Sequence, residues 1–90
     1  MSSEPSSKSS PPEPSVTRLL DLRGLKCPLP ALRTKKALKE AAIGDLFIVE
    51  CTDPLAVIDI PHLVHETGNT LVQQAAADGL YIFHIKRTQQ

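Results

Sequence analysis

The residue best suited to chemistry in this sequence is a cysteine that stands directly before a Pro-Leu-Pro step. Cys27 lies within the run LRGLKCPLPAL, which extends from Leu22 to Leu32. Proline is favoured in the first turn of an α-helix, because the N–H that it lacks has no partner there. The sequence therefore predicts that a helix begins at about Pro28 and that Cys27 occupies its N-cap.

A thiol at a helix N-cap is expected to ionise more readily than a free one. Unpaired backbone N–H groups and the positive end of the helix dipole favour an anion there, which lowers the thiol pKa and raises the thiolate fraction. Pro28 and Pro30 stiffen the turn and lack N–H groups, so Leu29 and Ala31 would supply the free donors. Basic residues nearby in sequence that could add positive charge are Arg23, Lys26, Arg33 and Lys35. We predict a presented, ionisable thiol at Cys27; the alternative is a small apolar residue packed beneath the helix start.

Two leucines on the first turns of this predicted helix fall outside its apolar stripe. The stripe consists of Ala31, Thr34, Leu38, Ala41 and Ala42. Leu29 and Leu32 lie on the outer side, close to the thiol. Scattered exposed leucines are common, but an apolar pair beside a reactive sulfur is a candidate docking patch for a partner protein. We include Lys35 of the same helix among the candidate partner contacts.

The second cysteine is predicted to have a structural role. Cys51 ends the apolar run LFIVEC, which is typical of a buried strand. A thioredoxin-like Cys-x-x-Cys motif is absent, because the residue three positions after Cys27 is Pro30. A redox pair of Cys27 and Cys51 would join a presented site to a buried strand, and disulfide geometry disfavours that arrangement.

A metal site is the other chemistry that the sequence allows us to consider. His62 and His65, in the run His-Leu-Val-His, fall on one helix face and could join Cys27 and Cys51 as ligands. Solvated surface histidines are the commoner explanation of such a pair, and no zinc-type pair of cysteines accompanies them. We therefore expect neither a metal nor another cofactor.

Composition limits the remaining classes of function. The chain has 90 residues, with Lys+Arg and Asp+Glu both at 10, and so lacks the excess basicity of a nucleic-acid binder. Residues 1–15 are almost entirely Ser, Pro and Glu and predict a disordered tail, which leaves a folded domain over 16–88. We expect neither a secretory signal nor a membrane-spanning segment. A cytoplasmic protein with reduced cysteines is expected.

The first half of the folded region predicts a strand, a helix and a second strand. Val16, Leu20 and Leu22 share one face of a strand from Val16 to Arg23, with Leu19 on the other. The helix that starts near Pro28 is expected to end at Gly44. Leu46 to Cys51 is apolar on both faces, as is typical of an inner strand of a sheet.

The second half predicts another helical region and a hairpin. Asp53 is expected to be the N-cap of a helix that has Pro54 in its first turn. Pro61 is expected to interrupt or restart that helix. Asp59 could cap the restarted piece. Gly68-Asn69 is expected to end this helical region. The strands Leu71 to Ala77 and Leu80 to Arg87 flank Asp78-Gly79, a strong signal for a two-residue hairpin turn.

The predicted order is therefore βαβαββ, an α/β (α+β) two-layer sandwich with a four-stranded mixed sheet. The first two strands should be parallel through a right-handed crossover, and the last two antiparallel, with both helices on one face. This reasoning leaves the order of strands in the sheet open.

Several of these runs together resemble a known family. The segment LDLRGLKCPLP, a Lys-rich helix, CTDPLAVIDIP, TGN and the final hairpin closely resemble the TusA/SirA family of small sulfur-transfer proteins, over essentially the whole folded part. The family fold is a two-layer sandwich of βαβαββ order. The resemblance implies a persulfide carrier whose Cys-Pro-x-Pro cysteine, here Cys27, takes sulfane sulfur from a cysteine desulfurase or rhodanese-like donor and passes it to an acceptor protein. Family routes lead to tRNA thiolation, molybdenum-cofactor synthesis or sulfur oxidation.

The resemblance also suggests roles for other residues. Asp53 matches a family position near the partner surface, although capping of the second helix is the simpler role for it. Asp21 belongs to the Leu-Asp-x-x-Gly lead-in and is expected to order the loop before Cys27. Ile58 stands where some members have a basic contact residue and Leu63 where an aromatic residue is common, so the identity of the partner stays open.

Two classes of function are consistent with these observations. One is a sulfur-relay protein that carries persulfide on Cys27 rather than a conventional turnover enzyme. The other is a regulatory or protein-interaction module that keeps the fold without the sulfur chemistry. The two differ in whether Cys27 is needed for function.

Overall fold

The computed structural model describes residues 16–88. The predicted tail, residues 1–15, lies outside the described residues. The elements are β1 (Thr17–Leu22), α1 (Leu29–Glu40), β2 (Leu46–Cys51), α2 (Ala56–Glu66), β3 (Thr70–Ala77) and β4 (Leu80–Lys86). The predicted βαβαββ order is confirmed. No helix among the described residues has the length and apolar character needed to span a membrane.

The four strands form one mixed sheet in the order β1-β2-β4-β3. β1 and β2 are parallel, as predicted, and α1 connects them. After β2, α2 leads the chain to the edge of the sheet opposite β1, where β3 lies. The hairpin then places β4 between β2 and β3, antiparallel to both. The strand order that the sequence left open thus puts β2 and β4 in the middle of the sheet.

The core lies between the two helices and one face of the sheet. Because side chains alternate along a strand, β2 sends Phe47, Val49 and Cys51 to that face, where all three are buried. The buried residues that meet them come from both helices and from the paired positions of neighbouring strands: Leu22, Leu38, Ala56, Ile60, Val64, Phe83 and Ile85. The expectation that both helices cover one face is therefore confirmed.

The first helix ends earlier than predicted. It stops at Glu40, with Ala41 as an extended C-cap, so Gly44 lies in the loop before β2 instead of ending the helix. The reason is Asp45, which is buried and whose carboxylate accepts N–H groups of Ala42 at 3.1 Å and Val16 at 3.2 Å. These bonds fold the chain back beside β1, and they leave Ala42 exposed instead of on the apolar stripe.

The second helix is continuous across Pro61, so the predicted interruption is wrong. Proline removes one N–H from the helix, but Ile60, Leu63 and Val64 on either side are buried and fix the helix on the sheet. The predicted end is confirmed: the N–H of Gly68 bonds the carbonyl of His65 at 3.1 Å and that of Asn69 bonds Val64 at 3.1 Å, which is a Schellman motif.

The final hairpin turns at the predicted dipeptide. Asp78 and Gly79 both have positive φ, 51° and 80°, as a type I′ turn requires, and Ala77 pairs with Leu80. The register shifts between Leu71 and Gln73. β3 is an edge strand and is exposed along most of its length.

Candidate functional site

Cys27 lies in the loop between β1 and α1, beside the start of α2. Its side chain is exposed, whereas that of Cys51 is fully buried. Pro28 is the N-cap of α1, so Cys27 lies one residue before the position predicted for it, and the Cys27–Pro28 peptide is cis. The loop ahead of it is fixed by Gly24, whose N–H bonds Thr52 Oγ1 at 2.8 Å.

Asp21 orders the same loop, as predicted. Its carboxylate accepts the Arg23 backbone N–H at 3.2 Å and the Arg23 Nε–H at 2.8 Å. These bonds hold the pKa of Asp21 at about 2. Arg23 is therefore paired with Asp21, and it also approaches Glu50 at 3.9 Å, instead of adding its charge to the thiol.

Two aspartates from the region of α2 hold Cys27. Its backbone N–H donates to Asp53 Oδ2 at 2.6 Å, and its thiol donates to Asp59 Oδ2 at 2.9 Å. Asp53 is not the helix N-cap, which is Leu55; instead its Oδ1 accepts the Leu55 N–H at 3.1 Å and its carbonyl accepts the Ala56 N–H at 2.9 Å. Asp53 thus joins the turn before α2 to the cysteine loop.

The sequence predicted that Asp59 caps a restarted helix, and this prediction is wrong. It lies in the first turn of the continuous α2. From there its carboxylate reaches the sulfur of a residue 32 positions earlier in the chain. Local sequence patterns predict a separate role for each of the two residues, but both lie where the ends of β1 and β2 lead into the helices.

The prediction of an easily ionised thiol is wrong for the isolated protein. The hydrogen bond to Asp59 is the main cause that raises the pKa of Cys27, helped by loss of solvent and by the charges of Asp59 and Asp53. At the N-terminus of α1, the Leu29 N–H is bonded to the Lys26 carbonyl at 2.8 Å and not to the sulfur. The sulfur therefore faces carboxylates of the α2 region and carries its proton at neutral pH.

The charge of Asp53 is stabilised by the contacts that order the loop. The N–H of Cys27, followed by that of Leu55, lowers the pKa of Asp53, and the nearby Lys26 lowers it further. Lys26, predicted to act on the thiol, thus acts on this carboxylate. Asp53 stays ionised while it holds the cysteine backbone.

An open groove of about 310 Å³ runs from the thiol between α1 and α2. Its wall includes both apolar and charged side chains, and the lining residues are Cys27, Pro28, Ala31, Leu32, Lys35, Asp59, His62, Leu63 and Glu66. The structure thus brings the predicted contacts Leu32 and Lys35 to the thiol. Leu29 is 45% exposed beside the groove but does not line it.

Three other residues singled out in the sequence differ in their position relative to the groove. Pro30 is buried in the first turn of α1 and accepts a hydrogen bond from the Thr34 hydroxyl at 2.8 Å, so it supports the helix start beneath the cysteine. Leu63 is buried at the groove floor, whereas Ile58 is 65% exposed. Both departures from the family pattern are therefore on α2, one inside the groove and one outside it.

The arrangement does not bring the considered metal ligands together. Cys51 is in the core, whereas His62 and His65 are exposed on α2, and His62 Nε2 lies 3.3 Å from Glu66 Oε2. Within residues 16–88, no group of three His, Cys, Asp or Glu side chains suited to hold a metal ion is found. The groups that the structure brings into contact at Sγ of Cys27 include the carboxylate of Asp59.

The fold and site define a small two-layer α/β protein with one exposed cysteine at the mouth of an interhelical groove. A solved structure with this fold is the SirA-like protein from Desulfitobacterium hafniense: it matches with a TM-score of 0.69 and 22% sequence identity, over 80% of this chain and 99% of that one.

Sequence comparisons give the family. The family model described as Sulfurtransferase TusA matches residues 18–87. The Sulfur carrier protein TusA of Allochromatium vinosum is 41% identical over 69 residues, 77% of this chain and 91% of that protein. The protein of the same name from Pseudomonas aeruginosa is 36% identical over 73 residues, 81% of this chain and 92% of that protein. The chain belongs to the TusA family.

Proposed function

We propose that this chain is a sulfur carrier that holds a persulfide on Cys27 and relays sulfane sulfur from a donor protein to an acceptor protein. The observation that carries the proposal is the contrast in exposure: Cys27 is open to solvent at the groove, and Cys51 is fully buried. The names of the relatives, sulfur carrier proteins, support the same role.

The chemistry is thiol exchange without net oxidation. Sγ of Cys27 attacks the outer sulfur of a donor persulfide, a new S–S bond forms, the donor's own S–S bond breaks, and the donor sulfur leaves as a thiolate. The same exchange with a thiol of the acceptor then releases the sulfur. A cysteine desulfurase or a rhodanese-like protein is the class of donor that we propose, and no cofactor is needed for the step.

The groove edges supply the proposed partner surface. Leu29 and Leu32 are 45% and 55% exposed, and Lys35 lies beside Leu32 along the groove. An apolar pair next to a cation suits a protein surface that must seat its own sulfur-bearing loop against Cys27. Asp53 contributes by holding the cysteine backbone in place.

The destination of the sulfur is proposed at the level of class. A relay of this type serves tRNA thiolation, molybdenum-cofactor synthesis or sulfur oxidation, in the cytoplasm, where thiols stay reduced. The net charge of zero gives no basis for direct binding of nucleic acid, so the acceptor is a protein.

Intact mass spectrometry tests the proposal. The purified protein, Cys27→Ser and Cys51→Ala are incubated with a cysteine desulfurase and cysteine. We expect a gain of one sulfur atom, removed by reductant, in the wild type and in Cys51→Ala but not in Cys27→Ser. Sulfur on Cys51, or on neither cysteine, would contradict the carrier role and favour a non-catalytic interaction module.

A further inference from the structure

The contact between Asp59 and the thiol goes beyond holding the cysteine in place. Asp53 already fixes the backbone of Cys27, and both of its carboxylate oxygens are engaged by N–H groups, of Cys27 and of Leu55. Asp59 instead bonds the sulfur itself, at 2.9 Å, and lines the groove from which a donor must approach. The two carboxylates therefore act on different parts of the same residue.

Sulfur transfer requires that the Cys27 proton be removed. A thiolate is the nucleophile in exchange reactions, yet the thiol of the isolated protein holds its proton. Two of the groups that the sequence predicts to stabilise a thiolate are engaged elsewhere: the Leu29 N–H bonds the Lys26 carbonyl, and Arg23 is paired with Asp21. The proton must therefore leave Sγ before the sulfur attacks or as it attacks, and a proton acceptor in contact with Sγ promotes that step.

Among the groove residues, Asp59 meets this requirement. Lys35 as an ammonium has no lone pair to accept a proton. His62 has its Nε2 turned to Glu66 at 3.3 Å. Asp59 is already the hydrogen-bond acceptor of the reacting proton, so no rearrangement is needed to transfer it.

We propose that Asp59 is a catalytic residue of sulfur loading, the base that accepts the Cys27 proton as the sulfur attacks; this inference rests on the proposed carrier function. In the step, the proton moves from Sγ to the Asp59 carboxylate while Sγ bonds the outer sulfur of the donor persulfide. The donor S–S bond breaks and its electron pair leaves with the donor thiolate. The neutral Asp59 carboxyl then returns the proton to that thiolate or to water, and no oxidant or reductant is consumed.

Two measurements on one variant separate a base from a mere charge near the thiol. Asp59→Asn removes the negative charge, so the pKa of the Cys27 thiol, read from the ultraviolet absorbance of the thiolate, should fall. Loading of Cys27 from glutathione persulfide should become slower, by about tenfold or more, because the proton acceptor is lost. This small donor avoids any effect of Asp59 on protein docking.

Two further variants serve as controls. Glu40→Gln removes a carboxylate at the far end of α1 and should leave both the thiol pKa and the loading rate unchanged, whereas Asp59→Glu keeps a carboxylate and should recover part of the loading rate. Faster loading together with a lower thiol pKa in Asp59→Asn, or no change in loading, would overturn the role of Asp59. If the wild type takes up sulfur on Cys27 neither from the persulfide nor from a desulfurase, the carrier function itself is overturned.

Discussion

The two cysteines of this chain have thiols that are both hard to ionise, but for different reasons. For Cys51, burial is the main cause, and it raises the thiol pKa to about 11. For Cys27, which is exposed, the main cause is a single hydrogen bond to the Asp59 carboxylate. A buried thiol stays inert as long as the core is packed, whereas an exposed thiol held by one acceptor can react when that acceptor takes the proton.

This difference follows from where each residue lies relative to the sheet. Cys51 is the last residue of β2 and points into the core with Val49 and Phe47. Cys27 follows β1 by a few residues, beyond the carboxyl ends of β1 and β2, where the start of α2 supplies Asp59. The fold thus separates a packing role from a chemical role within one small domain.

The largest expected contrast is in the rate of labelling. Iodoacetamide should modify Cys27 of the native protein and leave Cys51 untouched, because a buried thiol reacts only when the structure opens. We expect the rate for Cys51 to be lower by at least about a thousandfold, the scale of unfolding equilibria. Intact mass with peptide mapping counts the labels, and a denaturant control should show two labels on every chain. Comparable rates for both cysteines in the native protein would contradict the contrast.

How far the sequence predicts this architecture depends on the range of the interactions involved. The Asp78-Gly79 turn and the Gly68-Asn69 helix end are set by backbone conformations of a few residues, and both were predicted. The strand order was not, because it depends on which edge of the sheet the chain reaches after α2. Range matters also at the end of α1, where the Asp45 carboxylate accepts the N–H of Ala42, three residues away, and that of Val16, 29 residues away.

In the candidate site, too, local features could be predicted and contacts across the fold could not. The local motif predicts Cys27 as the reactive residue, and helical spacing predicts its neighbour Leu32 as a contact residue. The state of its thiol was predicted wrongly, because helix-end reasoning considers α1 alone and the decisive group, Asp59, lies on α2. The sequence predicts a local capping role for Asp59, whereas its contact with Sγ depends on the packing of α2 beside the cysteine loop.

The same substitution at the two cysteines should have unequal effects on stability. Cys51→Ser places a hydroxyl in the apolar core and should cost about 1–3 kcal/mol in the free energy of unfolding. Cys27→Ser retains an exposed side chain whose hydroxyl can donate to Asp59, so stability should be unchanged within error. Urea unfolding followed by circular dichroism measures both. Equal losses at the two positions would mean that Cys27 has a packing role that its exposure does not reveal.

The smallest expected contrast is in alkaline solution. Because burial raises the pKa of Cys51 from 9.0 to about 11, the folded chain holds this proton more tightly than the unfolded chain. Its contribution to stability is therefore full below pH 9 and is lost as the pH rises towards 11. Over this range the free energy of unfolding should fall less steeply in Cys51→Ala than in the wild type, with Cys27→Ser closer to the wild type. An unchanged slope in Cys51→Ala would show that the buried thiol does not couple to folding, and a larger effect in Cys27→Ser would assign the coupling to the hydrogen bond with Asp59.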